Sequence, residues 1–252
     1  MGDTSSDLEH LSASAEFVYA PITEELDIVV ANLMRLASDS GLDDQMVAHA
    51  VVSGGKKVRP TVTLLAGAFH PGAEDRLVTM ATAVELLHIA TLIHDDTVDK
   101  ANIRRGRETI SSMFGGDVAV LLGDYVFAAS ATFVCDTENI RVIRRFSETI
   151  MELAKGELAE RFSTHDWNQS IDDYNKRIYD KTASLICTAA EAGGVLSDAP
   201  EGQTRALRTF GYNIGMAFQI VDDVLDFPSN EEALGKPAGN DLLQGTLTLP
   251  AL

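Results

Sequence analysis

Apolar residues recur at helical spacing along most of the chain, while period-two alternation bounded by turn signals is nearly absent. Between Ile22 and Ala37 the apolar positions Leu26, Val29, Val30, Leu33, Met34 and Leu36 predict a helix. Asp43 to Val52 predicts a second, ended by Gly54-Gly55, and Pro60 suits the first turn of a third, where a missing N–H costs nothing. Glu74 to Lys100 holds neither Gly nor Pro and predicts a helix about 40 Å long at ~1.5 Å per residue. The run Arg104-Arg105-Gly106-Arg107 breaks that pattern. Helices follow over Thr109–Val134, Asn139–Ser163, Ser170–Ala192 and Gly202–Phe227, the last stopped by Pro228. Gly115-Gly116 and Gly193-Gly194 read either as helix punctuation or as points of close helix approach. No 20–50-residue repeat and no dividing linker is evident. The pattern predicts an all-α protein with a single domain over residues 1–252, of which 1–15 are expected to be disordered.

Composition narrows the function classes. Lys and Arg number 20 against 38 Asp and Glu, a formal charge of −18, and such a surface repels phosphate backbones. No nucleic-acid partner is expected. Cys135 and Cys187 form neither a zinc ligand set nor a disulfide framework, and read as buried or half-buried thiols in a reducing compartment. Met1 to His10 is polar and acidic, the opposite of a signal peptide's basic start. The apolar stretch Val118–Cys135 is interrupted by Gly123, Asp124 and Tyr125, so it reads as a helix buried in protein rather than a bilayer span. The expectation is a cytoplasmic protein without stable membrane insertion.

Four Asp-Asp pairs occur, and two gain a third aspartate four residues after the first: Asp95-Asp96-Thr97-Val98-Asp99 and Asp222-Asp223-Val224-Leu225-Asp226. At this aspartate content one such triplet arises by chance roughly once in six sequences, and two about once in a hundred. On a helix, positions i and i+4 point the same way, so Asp95 projects with Asp99 and Asp222 with Asp226. Like charges this close repel unless a cation lies between them. Oxygen-only ligands select Mg²⁺ or Mn²⁺ over zinc, and Mg²⁺ prefers one or two carboxylates plus substrate phosphates. The reading is a diphosphate held through Mg²⁺ between two antiparallel aspartate helices.

The scarce cations fit an anionic ligand. Lys56, Lys57 and Arg59 follow Gly54-Gly55, and Arg104, Arg105 and Arg107 follow the first triplet, while Lys181 and Lys236 stand alone. Singly, each reads as a solvated charge; clustered beside glycine turns in an acidic chain, they read as anion sites. His88 shares a helix face with Val84, Thr91 and Asp95, and reads equally as a hydrogen-bonded core residue or a ligand contact. His94 reads as packing or support for the triplet, and His49 carries no reading.

Gly54-Gly55-Lys56-Lys57-Val58-Arg59-Pro60, Leu92-Ile93-His94-Asp95-Asp96-Thr97-Val98-Asp99, Arg104-Arg105-Gly106, Lys181-Thr182-Ala183, Phe218-Gln219-Ile220-Val221-Asp222-Asp223-Val224-Leu225-Asp226 and Gly235-Lys236-Pro237 resemble, in order, the motif set of trans-prenyltransferases, the all-trans polyprenyl diphosphate synthases. The match runs from about residue 50 to residue 250. The resemblance implies an antiparallel helical bundle around a central apolar cavity (the isoprenoid synthase fold), commonly a homodimer. It implies Mg²⁺-dependent condensation of isopentenyl diphosphate with an allylic diphosphate, releasing pyrophosphate, with three Mg²⁺ ions for which Mn²⁺ can substitute. By the same resemblance Asp95, Asp99 and Asp222 are the principal metal ligands, with Asp96, Asp223 and Asp226 nearby or water-bridged. Lys56, Arg59, His88 and Arg105 hold isopentenyl diphosphate. Arg104, Lys181, Thr182, Gln219 and Lys236 serve the allylic diphosphate. The catalytic group is Asp95, Asp96, Asp99, Lys181, Asp222 and Asp223.

The chemistry accounts for these residue types. Ionising an allylic C–O bond leaves a carbocation and a multiply charged diphosphate, whose developing charge metal ions and Lys/Arg stabilise. The cation alkylates the C3=C4 bond of isopentenyl diphosphate, and the family view gives the final proton to the departing pyrophosphate. Water would quench the cation, so apolar walls are needed. Ala90 and Thr91, one turn before the first triplet, sit where family members with short products commonly carry an aromatic. Both are small, so a product longer than C20 is expected, with Phe127 and Phe133 on the next helix as a deeper floor.

Two features depart from the family pattern. Thr246 stands where a lysine is usual, and the chain ends at Leu252 where relatives continue through further helices. The competing readings are a class I terpene cyclase or head-to-head prenyl synthase, a non-catalytic subunit of a two-component synthase, and a purely structural bundle. Lys56, Arg59 and His88 argue against a cyclase, which has no second diphosphate to hold. The doubled triplets argue against the other two.

Overall fold

A computed structural model describes residues 16–51, 55–70, 74–226 and 239–252. Residues 1–15 lie outside the described residues. The backbone divides into two compact units, Met1–Glu138 and Asn139–Leu252. The division falls where Glu138 takes a positive φ of 52° and the Asn139 side chain caps the next helix by accepting from the Val142 N–H.

The first unit contains α1 (Thr23–Asp39), α2 (Asp44–Val51), α3 (Val58–Gly67), α4 (Glu74–Val98), the hairpin strands β1 (Ile103–Arg104) and β2 (Arg107–Glu108), α5 (Ile110–Phe114) and α6 (Gly116–Cys135). Helix α4 is its centre. Met80, Ala81, Ala83, Val84, Leu86 and Leu87 are buried on every side of it, so it lacks the polar face of a surface helix. It packs chiefly along α6, with α1 and α3 against its other sides. At Gly123 of α6 a Cβ would lie 2.3 Å from the His94 ring, so glycine permits that approach. His94 packs there, as expected.

The second unit contains α7 (Ile140–Ser163), α8 (Ile171–Ile178), a π-helical turn over Tyr179–Ala183, α9 (Ser184–Leu196), α10 (Glu201–Asp226) and the short α11 (Asn240–Leu243). Ser170 and Asp173 form a capping box that starts α8. Helix α9 is enclosed nearly all round, and α10 lies close along it because Gly211 and Gly215 carry no side chain.

Helix positions largely agree with the apolar periodicity, and four details differ. The expected Thr109–Val134 helix splits at Gly115, whose φ of +96° an α-helix does not accept. The expected Ser170–Ala192 helix is interrupted by the π turn. By contrast Gly194 stays inside α9 as a point of close approach to Leu207 and Thr204. The Arg104–Arg107 break is a two-stranded hairpin in which Ile103 pairs Glu108 and Arg104 pairs Arg107.

Two burial expectations are corrected. Cys135 is exposed, whereas Cys187 is buried. Two helices, α4 and α6, are long and apolar enough to cross a membrane; the most apolar window of α4 is 72% buried, but that of α6 only 33%. One face of α6 packs on α4, and the other leaves Val120 and Leu121 exposed within this unit.

Candidate active site

The loop before α3 and the hairpin after α4 bring the basic residues of the first unit together. Lys57 adopts a left-handed φ of 48° as α3 begins. Its ammonium lies 3.0 Å from the carboxylate of Glu85, a buried acid in otherwise apolar α4. Across the hairpin, Arg105 and Gly106 both take positive φ, as a type I′ turn needs. Gly55 (φ +145°) is required beside it, because a Cβ there would sit 2.7 Å from the Arg105 guanidinium. The neighbouring Lys56 is exposed, and its carbonyl accepts from the Tyr19 hydroxyl at 2.6 Å.

Four cations, Arg59, Arg105, Arg104 and Lys57, act on His88. Burial, reinforced by these charges, holds its imidazole well below the usual histidine range, so it is neutral at pH 7. Burial also pulls the Arg59 guanidinium down to about 10, with Glu85 opposing and Arg105 adding to the shift. The Arg59 Nε is buried without a hydrogen-bond partner. A positive cluster with a neutral histidine and an unsatisfied buried donor is a site built for an anion. Beside it a cavity of about 320 Å³ is lined by Gly55, Asp96, Arg104, Arg105, Ile89 and Leu92 among others.

The first triplet closes α4. Asp95 is half-buried and Asp99 exposed; Asp99 donates its backbone N–H to Asp95 O at 2.8 Å, so helical geometry persists through the triplet. Asp96 is buried and accepts from Arg104 Nε at 2.6 Å. The hairpin carrying both arginines is strapped to α2 by His49, one of whose nitrogens lies 2.8 Å from Glu108 O and the other 2.9 Å from the Arg107 guanidinium. His49 thus gains a structural role that the sequence did not disclose.

In the second unit the π turn presents Lys181 and Thr182. A Cβ at Gly156 of α7 would lie 2.5 Å from the Lys181 backbone nitrogen, so only glycine lets α7 lie against that turn. Lys181 Nζ is held by Glu160 at 2.6 Å and Glu157 at 3.2 Å. Thr182 donates to Gln219 Oε1 at 2.7 Å, and Gln219 donates to Asp223 Oδ1 at 2.8 Å. The other Asp223 oxygen accepts from the buried Tyr174 hydroxyl at 2.7 Å.

Asp222 is exposed and Asp226 half-buried, with Asp226 Oδ2 accepting from the Asp241 N–H at 3.1 Å. Burial, then Asp226, Asp223, Glu160 and Asp222, raise the Asp241 carboxyl to about 6. Burial raises Asp223 as well, against the donors Gln219 and Tyr174. Lys236 lies outside the described residues. Thr246 donates its backbone N–H to Asp241 O.

Two groupings therefore stand within single units. Arg59, His88, Arg104 and Arg105 gather with the first triplet, and Lys181, Thr182 and Gln219 with the second. Sequence reasoning placed Lys57 in a basic cluster without a role of its own and passed over Glu85, Tyr174, Glu160 and Asp241. Of these only Glu85 left a signal, a lone carboxylate one turn before His88 on an apolar helix. Among the described residues no three His, Cys, Asp or Glu side chains converge as a metal cage. Yet burial and the neighbouring carboxylates raise the proton affinity of Asp241, and sparse oxygen ligands suit Mg²⁺, which takes its remaining ligands from phosphate and water.

Residues 42–252 match the family model described as Polyprenyl synthetase. A prenyl transferase of Synechocystis sp. is 40% identical over 243 residues, covering 95% of this chain and 75% of that protein. Component 2 of the heptaprenyl diphosphate synthase of Geobacillus stearothermophilus is 39% identical over 236 residues, covering 93% and 74%. Among solved structures, the polyprenyl synthase of Caulobacter crescentus complexed with calcium and isoprenyl diphosphate superposes with a TM-score of 0.87 at 33% identity, covering 94% of this chain and 72% of that one. The same ordered motifs, the all-helical architecture and the extent of these matches make this chain a member of the polyprenyl synthetase family.

Proposed function

We propose that this protein is a Mg²⁺-dependent prenyltransferase that condenses isopentenyl diphosphate with an allylic diphosphate into an all-trans polyprenyl diphosphate longer than C20. The observation that carries the reading is the cationic cluster around neutral His88 in a chain of net charge −18. Four cations and an unsatisfied Arg59 Nε call for a multiply charged anion, and diphosphate is the anion the family handles. The heptaprenyl product named for the Geobacillus relative supports a long chain.

In this reading Arg59, His88 and Arg105 hold isopentenyl diphosphate, with Lys57 fixed beside them by Glu85 and Lys56 at the exposed rim. His88 contributes as a neutral hydrogen-bonding group rather than a charge. Arg104, oriented through Asp96, offers its remaining donors to the allylic diphosphate, as do Lys181, Thr182, Gln219 and Lys236. Asp95, Asp99 and Asp222 would hold Mg²⁺, which when bound supplies Lewis-acid stabilisation of the leaving diphosphate. Asp96 and Asp223 act as buried supports. Lys181 exchanges a glutamate partner for phosphate when substrate binds.

The test is pyrophosphate release with labelled isopentenyl diphosphate, Mg²⁺ and allylic primers of increasing length. Release that needs both substrates supports a synthase; release from the primer alone identifies a cyclase. Asp95→Ala and Asp222→Ala should each lower kcat/KM by about 10³-fold, the several kcal/mol that metal-assisted charge stabilisation supplies. Normal turnover in both would refute the assignment.

A second reading is favoured by the name component 2 in the Geobacillus relative: this chain would be the aspartate-bearing subunit of a two-component synthase. Turnover by the purified chain alone decides against it. The open face of α6 supports a homodimer, which sedimentation equilibrium reads directly.

A further inference from the structure

Tyr174 is fully buried in α8, packed with Ile178, Ala183 and Met216, and its phenol is spent on one carboxylate. The chain of donors runs in one direction from each end. Tyr174 gives its proton to Asp223 Oδ2 at 2.7 Å; Gln219 gives an amide proton to Asp223 Oδ1 at 2.8 Å; Thr182 gives its hydroxyl proton to Gln219 Oε1 at 2.7 Å. The arrangement settles which end of the Gln219 amide faces Asp223, since a carboxylate accepts only. It also ties three elements together: α8, the π turn that carries Lys181 and Thr182, and the last turn of α10 between Asp222 and Asp226. The Tyr174 ring lies under the Arg177 guanidinium at 5.8 Å, and Arg177 in turn donates to Leu247 O.

We infer that Tyr174 is a positioning residue: through Asp223 and Gln219 its buried hydroxyl holds the Thr182 turn in register with the second aspartate triplet. The inference rests on the proposed function and deepens it, giving the allylic side of the reaction a support that touches neither substrate nor metal. Tyr174→Phe removes one oxygen and keeps the ring, its packing and its place under Arg177. Asp223 then loses one fixed donor, and the Gln219 amide loses the anchor that sets its rotation.

The experiment is steady-state kinetics of the full chain and its Tyr174→Phe variant, varying isopentenyl diphosphate, allylic diphosphate and Mg²⁺ in turn. The expected result is a rise of about tenfold in the allylic KM and in the Mg²⁺ half-saturation, the scale of one lost hydrogen bond to a charged group, with the isopentenyl KM unchanged. A merely structural role would move all three together, and that result overturns the inference, as does a variant with wild-type constants. A double-mutant cycle with Thr182→Val checks the route: effects transmitted along one network are non-additive, and simple additivity overturns it too. Should Tyr174→Phe fail to fold, Gln219→Met breaks the same chain one link on and must show the same selective loss, or the inference falls. A wild-type chain that turns over neither substrate pair defeats the proposed function instead, a failure that reads differently from any of these.

Discussion

Asp96 and Asp223 occupy the same place in their triplets and the same kind of environment. Each is the second aspartate, each is buried, and each is held by a side-chain donor, Arg104 in one case and Tyr174 with Gln219 in the other. Helix geometry explains the division of labour. Successive residues turn by about 100°, so when positions i and i+4 face outward, i+1 turns toward the packed side. The sequence showed the triplets but not their donors, because Tyr174 lies 49 residues from Asp223.

His88 illustrates the same limit, since its neutral state follows from burial and from cations brought to it by two separate segments, Lys57 with Arg59 and Arg104 with Arg105. It also sets a pH dependence. With its folded pKa depressed well below the usual histidine value of 6.5, the unfolded chain takes up a proton that the folded chain refuses, so this group's contribution to stability is lost as pH falls below 6.5. Asp241 works the other way: its carboxyl, raised to about 6 in the fold, favours the folded state as the pH drops. Comparison with His88→Gln isolates the histidine. Between pH 7 and 5 the wild-type unfolding free energy from urea melts should fall more steeply than that of the variant, by at most about 1.4 kcal/mol per pH unit. Parallel curves would show that His88 ionises freely in the fold.

At the scale of elements, long helices were legible and their interruptions were not. Apolar spacing located α1, α4, α7 and α10 to within a few residues, because packing against a core imposes that period. The π turn has no such signature: it arises where Gly156 lets α7 touch the chain at Lys181, a tertiary contact. The hairpin escaped notice because its strands are two residues long and its turn begins with arginine.

Helix α4 also separates two residues that the sequence treated alike. Ala90 is fully buried within its unit, whereas Thr91 is half-buried and donates its hydroxyl to His88 O at 2.8 Å. An aromatic at residue 90 would overpack the core, at a cost of about 1–3 kcal/mol, and confound any reading of product length. Residue 91 is therefore the place to probe chain length. Thr91→Phe should shift the product toward C20 or below by reversed-phase analysis while the fold is retained; an unchanged product would remove this turn of α4 from any role in length control.

Over the whole molecule, charge and motif order were the legible features. The units carry opposite local demands. The first gathers Lys57, Arg59, Arg104 and Arg105 around a neutral histidine, with Glu85 and Asp96 pairing two of the four cations. The second gathers Asp222, Asp223, Asp226, Asp241 and Glu160, with Lys181 paired to Glu160. Diphosphate suits the first and Mg²⁺ the second, and under the proposed function the two bind together as magnesium diphosphate, a prediction about stability that needs no turnover. A ligand that binds only the folded state at about 100 times its Kd adds about 2.7 kcal/mol, or roughly 5–10 °C in Tm for a chain of this size. Mg²⁺ alone and pyrophosphate alone should each raise Tm by less, and the two together by more than the sum of their separate shifts. NaCl at matched ionic strength separates this from screening of the −18 charge, which is not specific to a divalent ion. In Asp222→Ala the excess should disappear while the NaCl response stays. Strictly additive shifts in the wild type would mean that metal and diphosphate bind without reference to each other, and that the acidic and basic clusters serve different ligands.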